Sequence, residues 1–290
     1  MEAVMMAATD RTMPPGLQGL PLGLNTANCV FFGPEIGEFA YEVAGAGVCR
    51  REAKRYRHVI VCSRPDRAYL HADYCTEFIP HDIDCNGMCA IAAPMPPSSE
   101  LAKWIPMGVR VVRPVDYGTR SWPGDYIRYG QYDPQWQGAI VIHARNRPHV
   151  PQRNWPPEHW NKLARWLGRV APGRRLVCIG TPNHALAVER CADLRNRPLG
   201  EQANVLRTAG ESAGFILGPS SGPLHFAEFC GCPTMVWCGG DGNEMNNTTQ
   251  FYRTAWNPFG VRADVHQYSD WQPPLDTVKG WVTDFLKGMA

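Results

Sequence analysis

The chain has 290 residues, 44% of them hydrophobic, and a formal net charge of +2 from 29 Lys and Arg against 27 Asp and Glu. That length points to about two domains with modest cores, and so even a charge balance gives no whole-chain field to hold a nucleic acid or an anionic membrane. No run of roughly 18 apolar residues occurs, so a transmembrane helix is excluded, and eleven cysteines at irregular spacing suit a reducing cytoplasm better than a disulfide framework.

The first 27 residues lack a basic segment followed by an apolar core, and Pro14, Pro15, Gly16, Gly19, Pro21 and Gly23 prevent a long helix, so residues 1–27 read as a flexible extension. Cys29-Val30-Phe31-Phe32 then reads as a buried strand, running through the turn Gly33-Pro34-Glu35-Ile36-Gly37-Glu38 into a helix from Phe39. His58 to Cys62 and Glu77 to Pro80 follow as strands at βαβ spacing. From Asn86 to Gln137 the richness in Pro, Gly, Trp and Tyr predicts irregular structure, with a strand at Val109 to Val112 and a linker at Tyr129 to Gly138.

The second half is more regular. Ala139 to Ile142 is a strand, and Trp160, Leu163, Ala164 and Leu167 recur at helical spacing after Pro156-Pro157-Glu158. Arg175 to Gly180 is the next strand, followed by helices predicted at His184 to Leu194 and Gln202 to Ala209. Phe215 to Leu217 and Thr234 to Trp237 flank a short helix that ends at Gly231-Cys232-Pro233, and Leu275, Val278, Trp281, Val282 and Phe285 share one face of a terminal helix.

Between those two strands, Gly218-Pro219-Ser220-Ser221-Gly222 puts small residues where the helix begins, with Ser221 as N-cap. Unpaired N–H groups and the helix dipole make such a start a natural place for phosphate or pyrophosphate, although ordinary capping in an α/β protein gives the same local pattern.

The order Gly222-Pro223-Leu224-His225-Phe226-Ala227, with Gly231 and Pro233 beyond, resembles the G-P-x-H-hydrophobic-A…G-x-P pattern of the ADP-heptose:lipopolysaccharide heptosyltransferases, glycosyltransferase family 9, and their GT-B relatives. Ser220 stands where that family usually carries Asp. The resemblance is strongest from Ala139 to Gly240. It implies an α/β chain of GT-B type: two Rossmann-like domains facing a cleft, an acceptor domain at 28–135, a nucleotide-sugar domain at 136–290, and a C-terminal helix crossing back.

Site residues follow from both readings. Ile142 to Arg147 lies at the carboxyl end of a strand, where open α/β sheets bind ligands. Arg153-Asn154-Trp155-Pro156 matches the family's cation-Trp-Pro loop, whose cation meets the phosphates, and His143-Ala144-Arg145 has a weaker likeness to the H-x-R of fucosyltransferases. Donor contacts are therefore expected from Arg145, Arg153, Ser220, Ser221, Gly222, Pro223 and His225. Glu38 follows Gly37 as the family's catalytic Asp follows Gly and is expected to take the acceptor proton, with Glu35 in reserve and His225 or Asp241 next. A Glu at a helix start also complements the dipole without any catalytic role.

The expected activity is transfer of a sugar from a nucleotide-diphosphate sugar to an acceptor hydroxyl by metal-independent inverting displacement, with no cofactor beyond that co-substrate. A sugar-nucleotide epimerase and a non-catalytic nucleotide-sugar-binding protein remain alternatives. For the acceptor, a glycan or other hydroxyl stands beside a modified base in DNA, which the stretch Trp104 to Trp136 with Arg110, Arg113, Arg120 and Arg128 would stack on. His71, Cys75, His81, Cys85 and Cys89 carry zinc-ligand chemistry but no C-x-x-C pair, so no metal is expected. Cys230, Cys232 and Cys238 are expected to pack beneath the phosphate motif.

Overall fold

The computed structural model describes residues 26–83, 105, 109–112, 124–240 and 248–289. Nearly all of the N-terminal extension, together with Cys85, Cys89, Arg113, Arg120 and Asp241, lies outside them.

Four short runs, β1 (Cys29–Phe32), β2 (His58–Ser63), β3 (Glu77–Pro80) and β4 (Arg110–Val112), pair in parallel in the order β3-β2-β1-β4. All four residues of β1 are buried, as an inner strand of a parallel sheet requires. A second parallel sheet holds β5 (Ile140–Ile142), β6 (Leu176–Cys178), β7 (Ala192–Asp193), β8 (Phe215–Pro219), β9 (Thr234–Cys238) and β10 (Ala263–Gln267) in the order β10-β9-β8-β5-β6-β7. This is the doubly wound order, whose switch point lies between β5 and β8, in register at Ile142 and Leu217. In the first sheet the chain reverses direction of travel between β1 and β4.

Helix α1 (Phe39–Ala53) decides how the halves meet. Its sequence is rich in Ala and Gly and carries no apolar stripe, and it is buried almost all round, as a helix with no solvent face must be. Ala40, Val43, Ala44 and Val48 share a core with Val141, Ile216, Phe226 and Phe229 of the second half, while Cys49 and Ala53 pack with Val30 and Val59 of the first. Arg50 anchors the junction, gripping Asp73 with Nε at 2.6 Å and Nη2 at 2.9 Å and donating to the Asp125 carbonyl at 2.9 Å and to Tyr129 Oη at 3.3 Å.

The linker expected at Tyr129 to Gly138 is fastened rather than loose. Tyr129 N–H donates to the Phe229 carbonyl at 3.0 Å, Asp133 N–H to Thr208 Oγ1 at 2.8 Å and Gly138 N–H to Ser212 Oγ at 2.8 Å. Two of these acceptors lie on or just beyond α3 (Leu199–Glu211).

Helix α2 (Pro157–Val170) buries Trp160, Leu163, Ala164 and Leu167 as its periodicity predicts. The helix predicted at His184 to Leu194 does not form, because its backbone groups are used over long range: Leu186 N–H donates to the Ala144 carbonyl and the His184 carbonyl accepts from Asn146, both at 2.8 Å. Strand β10 went unpredicted because Ala263-Asp264-Val265-His266-Gln267 has no apolar run, and it forms by pairing along β9. Helix α5 (Leu275–Lys287) buries Val278, Val282 and Phe285 in one core with Trp160, Phe215 and Trp237 of the second half.

No helix among the described residues is long and apolar enough to cross a membrane, and no cluster of three or more His, Cys, Asp or Glu among them is placed to hold a metal ion. His71 Nε2 meets Glu42 Oε1 at 3.0 Å, His81 Nε2 donates to the Glu35 carbonyl at 2.9 Å, and Cys75 Sγ donates to the Glu77 carbonyl at 2.9 Å.

Candidate active site

The loops at the carboxyl ends of both sheets enclose a cavity of about 1180 Å³. Glu38, Arg64 and Arg67 line it from the first half, and His143, Arg147, Thr181, Arg195 and Gly222 from the second.

Local geometry brings Glu38 there. It is the N-cap of α1 in extended conformation, and its carbonyl accepts from Tyr41 N–H at 3.1 Å and Glu42 N–H at 3.3 Å, which leaves the side chain outside the helix. The turn before it passes so close to β2 that a Cβ on Gly33, at φ +113°, would lie 2.3 Å from the Cys62 carbonyl oxygen. Arg64 Nη2 donates to the Gly37 carbonyl at 3.3 Å and steadies the approach to Glu38. Phe39 then wedges between the starts of α1 and α4 (Gly222–Phe229), with its ring 5.3 Å from that of Phe226. A Cβ on Gly222 would sit 3.0 Å from Phe39 Cδ1 and 3.2 Å from Phe39 Cβ. Glycine there lets the two helix starts meet, and Gly222→Val should cost about 1–3 kcal/mol of stability by overpacking. A denaturant midpoint equal to that of the parent would show that the contact yields freely.

Across the cavity, Arg147 Nη1 meets Glu38 Oε1 at 3.3 Å, with side-chain exposures of 24% and 33%. Arg147 is presented by a loop that Arg145 and Asn154 hold from within. Asn154 Nδ2 donates to the Arg147 carbonyl at 2.8 Å, and Asn154 Oδ1 accepts from Arg147 N–H at 3.1 Å and also from Arg145 Nη1. Arg145 further donates to the carbonyls of Val150 at 3.1 Å and His149 at 2.8 Å.

The arginines differ in where they lie. Arg145 is 1% exposed, is not among the residues that line the cavity, and bonds to two loop carbonyls and Asn154. Burial, and after it the charges of Arg153 and Arg147, pull its pKa below the ordinary value. Arg145→Ala should lower stability by about 3 kcal/mol, since three part-buried oxygens, of Val150, His149 and Asn154, lose a charged donor, whereas Arg147→Ala should hardly move the melting temperature. Similar melting shifts for the two would contradict this assignment. Arg153 is also off the cavity wall: its Nη2 donates to the Ser220 carbonyl and its guanidinium lies 4.1 Å from the Trp271 ring centre.

The phosphate turn offers less than its sequence suggests. Ser221 occupies the N-cap position, but its Oγ donates back to the Pro219 carbonyl at 3.0 Å and caps nothing. Ser220 N–H goes to the Trp237 carbonyl at 2.8 Å, Ser221 N–H to Tyr252 Oη at 3.4 Å, and Leu224 N–H to the Ser221 carbonyl at 3.1 Å. Pro223 has no N–H, so Gly222 carries the turn's remaining donor. Ser221, Gly222 and Pro223 line the cavity, and Ser220 is buried behind them.

His225 also lies behind the wall, stacked on Tyr252 with ring centres 4.0 Å apart. Burial, then the charge of Arg153, push its pKa to about 3, while burial pushes that of His143 to about 4. Both values lie below the ordinary 6.5. The unfolded chain therefore takes up protons first as pH falls, and the stability tied to these neutral rings is complete above about pH 6.5 and lost on acidification. Buried Glu228, whose pKa is raised well above the carboxyl range, acts in the opposite sense. His225→Phe, which keeps the stack, should therefore lose about 2 kcal/mol less stability than the parent between about pH 7.5 and about pH 5. Parallel pH curves for the two proteins would show that His225 is not held neutral.

Of the two candidate bases, Glu38 lines the cavity and Glu35 does not; Glu35 is half-buried, with N–H bonded to the Cys62 carbonyl at 2.9 Å. The sequence reading passed over Arg147, Arg64 and Arg67. Their signal was present as Arg145-Asn146-Arg147 and Arg64-Pro65-Asp66-Arg67, two arginine pairs that each follow the carboxyl end of a strand.

Two parallel, doubly wound sheets whose carboxyl ends share a cavity define the GT-B class of fold, and the chain has that fold. Among solved structures it is similar to a glycosyl transferase family 9 protein from Veillonella parvula, with TM-score 0.58 and 12% identity over 90% of this chain and 97% of that one. It is similar also to the E. coli heptosyltransferase WaaC with ADP-2-deoxy-2-fluoro heptose (TM-score 0.56, 13% identity, 88% and 99% of the two chains). E. coli ADP-heptose lps heptosyltransferase II gives TM-score 0.55 at 13% identity, over 90% and 99%. The sequence matches no family model and no curated protein.

Proposed function

We propose that this protein is a glycosyltransferase that moves a sugar from a nucleoside-diphosphate sugar to an acceptor hydroxyl by inverting displacement without a metal ion. The observation that carries this reading is the facing of Glu38 from the first half and Arg147 from the second across a cavity that Arg64, Arg67, Arg195 and Arg197 also line. Against these five arginines the described residues of the wall include two carboxylates, Glu38 and Asp66, so the cavity suits a ligand with several negative charges.

In the proposed reaction the acceptor hydroxyl gives its proton to the Glu38 carboxylate as its oxygen bonds to the anomeric carbon. The bond from that carbon to the diphosphate breaks, and the electron pair leaves on the phosphate oxygen. Arg147 and the Gly222 N–H would stabilise that developing charge, the task a divalent cation performs in other transferases. The acceptor would enter from residues 28–135 and the nucleotide would be held by 136–290. The similarity to E. coli heptosyltransferase WaaC, solved with ADP and with ADP-2-deoxy-2-fluoro heptose, supports a nucleotide sugar as the donor class.

The test is thermal stabilisation by ADP, GDP, UDP and their sugar conjugates, followed by transfer assays with a chelator present. A bound nucleotide at about 100 times its dissociation constant adds roughly 2.7 kcal/mol. Transfer to a glycan, another hydroxyl or a modified DNA base that survives chelation supports the reading. An absolute need for Mn²⁺ or Mg²⁺ overturns the metal-free mechanism, sugar conversion without acceptor indicates an epimerase, and binding without turnover indicates a non-catalytic binding protein.

A further inference from the structure

The pairing of Glu38 with Arg147 has two partners competing for one cation. With Nη1 of Arg147 engaged 3.3 Å from Glu38 Oε1, an end-on bidentate grip on a diphosphate through both Nη groups competes with that contact for the same donors. The backbone of Arg147 is fixed on both sides by Asn154, with bonds of 3.1 Å and 2.8 Å, and the Arg145 guanidinium fixes Asn154 in turn. Exchange between partners is thus a side-chain event that needs no rearrangement of the loop. Glu38 is similarly anchored, since its carbonyl begins α1 and Arg64 holds Gly37 beside it. Between the two halves the core is continuous through α1, and Arg50 ties Asp73, Asp125 and Tyr129 together there, so the distance between the anchors is set by packing.

Resting on the proposed transferase reading, we infer that Arg147 masks Glu38 until a diphosphate arrives, so that donor binding unmasks the base. In the unliganded protein the guanidinium lies against Oε1 of the carboxylate and offsets its charge. A diphosphate draws Arg147 away, and the carboxylate is left facing the cavity. Donor would therefore bind before acceptor in the productive order, and an acceptor entering first would meet a base already paired. Arg147 in this account is a phosphate ligand that also positions Glu38.

A double-mutant cycle on binding tests this without any turnover assay. ADP, GDP, UDP and inorganic pyrophosphate are titrated by calorimetry into the parent, Glu38→Gln, Arg147→Gln and the double variant, with melting temperatures recorded to confirm folding. Removing the competitor in Glu38→Gln should tighten the nucleoside diphosphate about threefold to fivefold, the range for a partly exposed ion pair. Arg147→Gln should weaken it about tenfold to a hundredfold. In the Arg147→Gln background the Glu38→Gln change should no longer tighten binding, since no cation is left to release. If Glu38→Gln tightens binding equally with and without Arg147, the carboxylate acts only through the general field of the cavity and the masking is refuted. If Glu38→Gln leaves affinity unchanged or weaker, it is refuted as well. Failure of every diphosphate probe to bind the parent would instead remove the transferase reading on which the inference stands.

Discussion

Glu38→Gln should bind nucleoside diphosphate at least as well as the parent yet transfer sugar about 10²- to 10⁴-fold more slowly. Glutamine keeps the length and the hydrogen-bonding shape of the side chain and removes only its basicity, so the loss belongs to proton transfer and is read in kcat and not in donor affinity. Glu35→Gln is the control. Glu35 lies outside the cavity wall, and its backbone is held by the Cys62 carbonyl and His81, so that variant should lose little activity. The assay must follow transfer to an acceptor, because release of sugar to water does not need the same base. Near-parental transfer by Glu38→Gln would move the base elsewhere.

Arg147→Gln should weaken nucleoside-diphosphate binding about tenfold to a hundredfold while leaving the parent nucleoside little changed. The reason is that each charge-assisted bond to phosphate contributes about 1.5–3 kcal/mol and the nucleoside makes none. The comparison of two ligands on one variant removes general effects on folding. Arg147 is only part-buried, with a side-chain exposure of 24%, so its loss should not unfold the loop that Arg145 and Asn154 hold. An equal drop for nucleoside and diphosphate would place Arg147 away from the phosphates. The same pair of ligands applied to Arg153→Gln should show a smaller difference, because that guanidinium is engaged with the Ser220 carbonyl and the Trp271 ring behind the turn.

Much of the fold is legible in local runs of sequence. Cys29 to Phe32, Ala139 to Ile142 and Phe215 to Leu217 are short apolar segments bounded by Gly or polar turns, and each became an inner strand of a parallel sheet because burial on both faces needs such a run. The spacing of Trp160, Leu163, Ala164 and Leu167 specifies a one-sided helix, and α2 is one. The small residues at Gly218 to Gly222 marked the turn at the switch point of the second sheet, which is where its topology places a ligand. The loop holding Glu38 was legible for the same reason: a turn that follows an inner strand must emerge at the sheet's carboxyl end.

What the sequence could not decide is where side chains point once two halves are brought together. Arg145, Arg147 and Arg153 look equivalent as a string, yet one is buried among loop carbonyls, one faces the cavity and one lies against Trp271, and the difference is made by Asn154, Val150, His149 and Ser220 satisfying the wrong or the right guanidinium. The segment from His184 to Leu194 carried a helical pattern, but hydrogen bonds to Ala144 and Asn146, about forty residues distant, took its backbone groups first. Helix α1 and strand β10 lack strong patterns of their own and acquire their places from neighbours on every side. Apolar runs and turn residues therefore settle which segments are buried and at what period, because those are properties of a few adjacent residues. The assignment of donors to acceptors across the cavity was decided only by the tertiary structure, because a guanidinium bonds to whichever oxygen the packed chain brings within about 3 Å.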